Sequence, residues 1–159
     1  MILTEHDIIQ NVGIGALALN KFVNSFYAKN ENLRGPSLAL AMPVLPLLYH
    51  RATLNSIYGR AFEGGFFNAL SDYREMPAGL QQRMEEMSIQ TFKALNLAYQ
   101  SKILTYSKEL NELLPIKTPV TTGKYNEDIK KIVQGADRLG RWFAAVSEDQ
   151  ICITLKIKF

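Results

Sequence analysis

Ala41-Met42-Pro43-Val44-Leu45-Pro46-Leu47-Leu48-Tyr49-His50-Arg51-Ala52-Thr53 is an apolar run, interrupted by proline, that ends abruptly in a polar cluster. Proline fixes φ and lacks an N–H, so the run cannot be one uninterrupted helix. Each proline also drives the residue before it toward extended geometry. The stretch therefore reads as an extended lead-in, then a helix that starts near Pro46, where a missing N–H costs nothing, and continues to about Tyr58. His50, Arg51 and Thr53 stand just past a buried segment. In that place Arg51 suits a charge-assisted bond to a partner carboxylate, and His50 a polar contact. The same residues also suit a plain helix end at which His50 makes only a local hydrogen bond.

Upstream, Thr4 or Asp7 can cap a helix running to about Lys29, with a broad apolar stripe of Ile8, Val12, Gly15/Ala16, Leu19, Phe22/Val23 and Phe26. Gly13, Ala16 and Ala18 make that helix thin, so another helix can approach closely. Gly35-Pro36 marks a break. Downstream, the spacing predicts a linker over Gly59 to Gly65, a short helix from Phe66 to Tyr73, and one long helix from Pro77 to Ser101. Ile103 to Tyr106 reads as a strand. Leu113 to Thr118 reads as its return, confined to an edge by Pro115. Asn126 can cap a helix to about Ala145. In the last segment Ile151, Ile153, Leu155, Ile157 and Phe159 alternate with Cys152, Thr154, Lys156 and Lys158, which predicts a terminal strand paired with the hairpin. The expectation is one domain over residues 1–159. Its class is α+β, predominantly α-helical. Residues 1–101 form the helical part; a hairpin, a helix and a terminal strand over 102–159 give a winged-helix-like C-terminal half.

The composition excludes more than it assigns. A chain of 159 residues can bury a real core. A net charge of +3 is far from that of a nucleic-acid-binding tail. The lone Cys152 excludes an internal disulfide and fits a reducing compartment. The segment beginning Met1-Ile2-Leu3-Thr4-Glu5 is acidic where a signal peptide would be basic, and the Ser37–Tyr49 run is too short and interrupted to span a bilayer. A soluble, cytoplasmic protein is expected. Gly13-Ile14-Gly15-Ala16-Leu17-Ala18 matches a relaxed dinucleotide pattern but follows no strand, and close helix packing explains its small residues better. Thr122-Gly123-Lys124-Tyr125 echoes a phosphate-binding loop, yet Thr118 stands where its first glycine belongs and Tyr125 replaces the magnesium-binding hydroxyl. His6, His50 and Cys152 share no metal-ligand spacing. Glu85 and Glu86 are neighbours on a helix and point apart. No catalytic, cofactor or metal site is expected, and the chain reads as no enzyme.

Two motifs carry a resemblance. Leu45, Pro46, Leu47, His50, Arg51 and Thr53 are similar to the Leu-Pro-Leu-x-Leu-His-(Lys/Arg)-x-Thr core of the middle components of bacterial three-component ABC systems. Tyr49 stands where that family usually has an aliphatic residue, and Leu54-Asn55-Ser56-Ile57-Tyr58 departs from the charged and proline residues that usually follow. Leu139-Gly140-Arg141-Trp142-Phe143 is similar to the family's C-terminal Leu-Gly-x-Trp-Phe helix. The helix from Asn11 to Asn20 resembles its opening segment more loosely. The resemblance implies a non-enzymatic adaptor that links an SMC-like ABC ATPase to an effector in a prokaryotic defence system of the type that includes Lamassu-like systems. DNA would be met through the complex. It makes Pro46, His50, Arg51, Thr53 and Trp142 the interface candidates.

Trp142 lies beside the apolar stripe of its helix. It suits either a seal on the core's edge or a hot-spot anchor, for which tryptophan is enriched. Lys124, Lys130, Lys131, Arg138, Arg141, Lys156 and Lys158 cluster late in the chain. In a winged-helix DNA-binding regulator, the alternative function, they would face phosphates. Glu127, Asp128 and Asp137 dilute that surface.

Overall fold

The structure is a computed structural model that describes residues 11–116 and 126–159. The proposed caps Thr4 and Asp7, together with Ile8 and His6, lie outside the described residues, as do Thr122, Gly123, Lys124 and Tyr125. Within them the chain is predominantly helical with one small antiparallel sheet, an α+β fold.

The central element is α1 (Val12–Lys29). Asn11 caps it: its side-chain oxygen accepts the Ile14 N–H at 3.2 Å. Ala18, Leu19, Phe22 and Val23 are fully buried. Three short helices follow, α2 (Leu38–Ala41), α3 (Val44–Leu48) and α4 (Arg51–Ile57). The proline run is thus more finely divided than one helix from Pro46 to Tyr58. Pro46 falls in the first turn of α3, where N–H groups have no helical partner anyway. The extended lead-in expected before Pro46 is helical instead: α2 occupies it, and Met42 and Pro43 stay in the right-handed helical region. The chain becomes extended at His50 (ψ 111°), which separates α3 from α4. α5 (Gly65–Asp72) matches the short helix expected there. The long helix expected from Pro77 to Ser101 is two, α6 (Leu80–Glu86) and α7 (Ser88–Gln100). They part at Met87, where Ser88 Oγ donates to the Glu85 carbonyl at 3.0 Å. Such back-bonding competes with the helical ladder and bends it.

The hairpin joins β1 (Leu104–Ser107) to β2 (Glu112–Pro115), with Leu104 opposite Pro115 and Ser107 opposite Glu112. The Gly35-Pro36 break lies along β2: Leu113 N–H donates to the Pro36 carbonyl at 2.8 Å. A Cβ on Gly35 would fall 1.8 Å from the Leu113 carbonyl oxygen, so only glycine fits there. Buried Glu112 accepts the Gly35 N–H at 3.1 Å and pairs with Arg34.

α8 (Glu127–Ala144) begins as its sequence indicates, with Asn126 Oδ1 accepting the Ile129 N–H at 2.9 Å. It packs chiefly on α1. Phe143 stands edge-on to Phe22 and Phe66, with ring centroids 5.8 and 5.4 Å apart, in the favoured T-shaped geometry.

The terminal segment corrects the sequence reading. Residues expected as a strand form α9 (Glu148–Leu155) instead, and the sheet keeps its two strands. Ser147 caps α9 by accepting the Gln150 N–H, and Glu148 and Asp149 occupy its first turn. Ile151 and Leu155, one turn apart, are fully buried, whereas Ile153 is 71% exposed. The apolar alternation is therefore real in sequence but not a strand's face. The winged-helix-like arrangement loses the strand on which it rested.

Candidate functional site

The His50-Arg51-Ala52-Thr53 turn opens α4, with His50 in the N-cap position and no side chain bonded to a first-turn N–H. His50 Nδ1 lies 2.9 Å from Thr53 Oγ1, and the His50 carbonyl accepts the Leu54 N–H at 2.9 Å. Thr53 is 0% exposed and Pro46 is buried. His50 is half-buried and Arg51 is exposed. Of the residues singled out in this stretch, Arg51 is the one whose charged group faces solvent. It makes no ion pair among the described residues. Beside it is a recess of about 50 Å³ whose walls include Tyr49, Asn55, Asp128 and Lys131, with room for water but not for a metabolite. Tyr49 is buried at its floor, and desolvation pushes its phenol well above the usual tyrosine range.

Trp142 is buried at 4% exposure and donates its Nε1–H to the Phe62 carbonyl at 3.2 Å. That bond ties the loop between α4 and α5 to α8. Two expected DNA-contacting residues meet the same loop. Arg138 donates from Nε to the Arg60 carbonyl at 3.1 Å, and its guanidinium lies over the Phe62 ring, 4.6 Å from the centroid. The Arg141 guanidinium lies 4.3 Å from that centroid, and its Nε is 3.3 Å from Asp137.

The remaining basic residues are dispersed. Lys130 pairs with Glu127 at 3.5 Å, one turn along α8. Lys131 lies over the Tyr58 ring at 5.2 Å. Lys156 takes a left-handed conformation (φ 56°) to close α9, and Lys158 lies exposed beyond it, its backbone N–H bonded to Gln81. The structure joins Arg138, Arg141 and Trp142 into one patch and leaves Lys130, Lys131, Lys156 and Lys158 outside it. Phe62, 37% exposed, was missed from sequence. Its only sequence signal is an aromatic residue inside a glycine-bounded linker.

Both sequence motifs are explained first as architecture. In Leu139-Gly140-Arg141-Trp142-Phe143, Leu139 and Phe143 are fully buried. A Cβ on Gly140 would sit 2.5 Å from the Phe22 carbonyl oxygen, so the glycine lets α8 touch the α1 backbone. A family model described as the ABC-three component (ABC-3C) system Middle Component 3 matches residues 1–159. The chain belongs to this family. No curated protein and no solved structure matches it. Membership fixes the setting as a middle component of a multi-component ABC system. Within it most of the motif residues are buried, whereas Arg51 and Arg141 are exposed and His50 is half-buried.

The described residues hold no group of His, Cys, Asp and Glu side chains able to bind a metal, and no helix long and apolar enough to cross a membrane. Cys152 lies half-buried on α9, and its thiol is pushed up by burial and by Glu148 and Asp149 nearby, which lowers thiolate reactivity.

Proposed function

We propose that this middle component is a non-enzymatic accessory subunit that links an SMC-like ABC ATPase to an effector in a prokaryotic defence system, in the cytoplasm. The observation that carries the reading is Arg51. It sits in the motif typical of middle components, is exposed, and adds no ion pair to the fold among the described residues. The motif's other members are buried, except His50, which is half-buried and bonded locally to Thr53. A guanidinium in that position acts outward, as a charge-assisted donor to a partner carboxylate. Any DNA contact comes through the complex. The winged-helix regulator is not favoured, because its terminal strand is a helix and its cations are dispersed.

The test is reconstitution. The ATPase and effector subunits of the same system are mixed with and without this chain and resolved by size-exclusion chromatography at high salt. The linking role predicts that ATPase and effector co-elute only when this chain is present. Co-elution without it, or tight duplex-DNA binding by the isolated chain with a steep salt dependence, would reject the reading.

A further inference from the structure

The Phe62 patch borders a hollow of about 360 Å³ whose walls include Phe62, Phe66, Phe67, Trp142, Arg141 and Lys29. Its rim exposes aromatic surface: Phe62 is 37% and Phe67 47% exposed. Stacking on Phe62 fixes the two guanidinium planes without neutralising their charge. Asp137 accepts from Arg141 Nε and the Ser25 hydroxyl, which leaves the Arg141 terminal nitrogens to bond outward. Exposed Glu63 lies in the same loop, between the lining residues Phe62 and Gly64, so three cations (Lys29, Arg138 and Arg141) face two carboxylates, and the patch keeps a cationic excess beside an apolar hollow. Such a surface complements an acidic chain that also carries an apolar anchor. A nucleobase would need an open ring face, and that of Phe62 is covered by guanidinium.

We propose that this hollow is the docking site for an acidic peptide segment of a partner protein. One aromatic or long aliphatic side chain of the segment enters between Phe67 and Trp142. A flanking Asp or Glu is held by Arg141, with Arg138 behind it. The assignment is independent of whether Arg51 meets the ATPase.

Trp142 is the chain's single tryptophan, so its emission reports on the hollow directly. Tryptophan-free random peptides are selected by display against the intact chain, then synthesised and titrated while emission is followed. The expected winners place Asp or Glu beside Phe or Leu and change Trp142 emission on binding. They bind at least tenfold more weakly to Arg141→Gln and to Phe67→Ala, and are unaffected by Lys93→Gln, outside the hollow. Both substituted side chains are exposed, so both variants should melt within a few degrees of the parent. Three results would overturn the proposal: no peptide is enriched; the winners bind without moving Trp142 emission or ignore Arg141→Gln; or a twenty-nucleotide oligo-dT moves the emission and acidic peptides do not.

Discussion

Gly140→Ala tests the contact on which the core is built. The added Cβ would lie 2.5 Å from the Phe22 carbonyl oxygen, 2.8 Å from Ser25 Cβ and 3.0 Å from Phe26 N. The first and third are backbone atoms of α1, which no rotamer change can move aside. Ordinary contact would require α8 and α1 to separate by about 1 Å. That movement loosens the Phe22–Phe143 ring contact and the Ser25–Asp137 hydrogen bond together. Overpacking of this kind costs about 1–3 kcal/mol, and the broken contacts place it toward the upper end. Alanine's better helix propensity returns about 1 kcal/mol. The net expectation is a loss of about 1–2 kcal/mol, which lowers Tm by roughly 2–8 °C in a domain of this size. Circular-dichroism melts of Gly140→Ala and Gly59→Ala make the comparison, since a Cβ on Gly59 meets nothing within 4 Å. If Gly140→Ala melts at or above the parent temperature, the helices do not meet backbone to side chain at this position.

The terminal helix makes a prediction that a strand would not. Ile151→Ala should cost about 2–5 kcal/mol as a buried truncation, and Ile153→Ala within about 0.5 kcal/mol; similar losses from both, read by urea unfolding, would restore the strand. Glu112→Ala leaves the Gly35 N–H without its acceptor in a buried place, for a loss of about 1–3 kcal/mol in the same assay; an unchanged midpoint would show that the clip along β2 is idle. Tyr49 is kept neutral by burial in the folded chain but ionises near pH 10 when unfolded. Its stabilising contribution is therefore full below about pH 10 and declines above it by up to about 1.4 kcal/mol per pH unit. Melts from pH 8 to 11 should show a steeper alkaline decline for the parent than for Tyr49→Phe, and parallel curves would place Tyr49 in contact with solvent.

The legible parts of this fold are those in which a local signal and a long-range one agree. α8 shows both an asparagine cap and a stripe one helix face wide, and its bounds follow from them. The hairpin follows from the edge-confining Pro115 and the turn before it. The terminal segment failed because two signals compete there. Alternating isoleucines indicate a strand, while Ser147-Glu148-Asp149-Gln150 is a helix-start pattern of the capping-box type. The cap prevails because burying Ile151 and Leu155 requires only one helix face. The buried run holding Pro46 and a local hydrogen bond at His50 were both legible, but the full burial of Thr53 was not, since exposure there depends on how α3 and α4 turn. The Phe62 patch was illegible for a different reason. Phe62 reaches Arg138 and Arg141 across about half of the chain, and no periodic pattern records such a contact.

The proposed function rests on Arg51 acting on a partner and not on the fold. Its direct measurement is the affinity of the chain for the system's ABC ATPase subunit, parent against Arg51→Ala, with melts of both variants taken alongside. Removing a charge-assisted bond and leaving its acceptor unpaired should cost about 1.5–3 kcal/mol of binding, roughly a ten- to hundredfold rise in Kd, while the melting temperature stays within a degree or two. Unchanged affinity, or a large fall in melting temperature with the complex intact wherever the chain is folded, would contradict it.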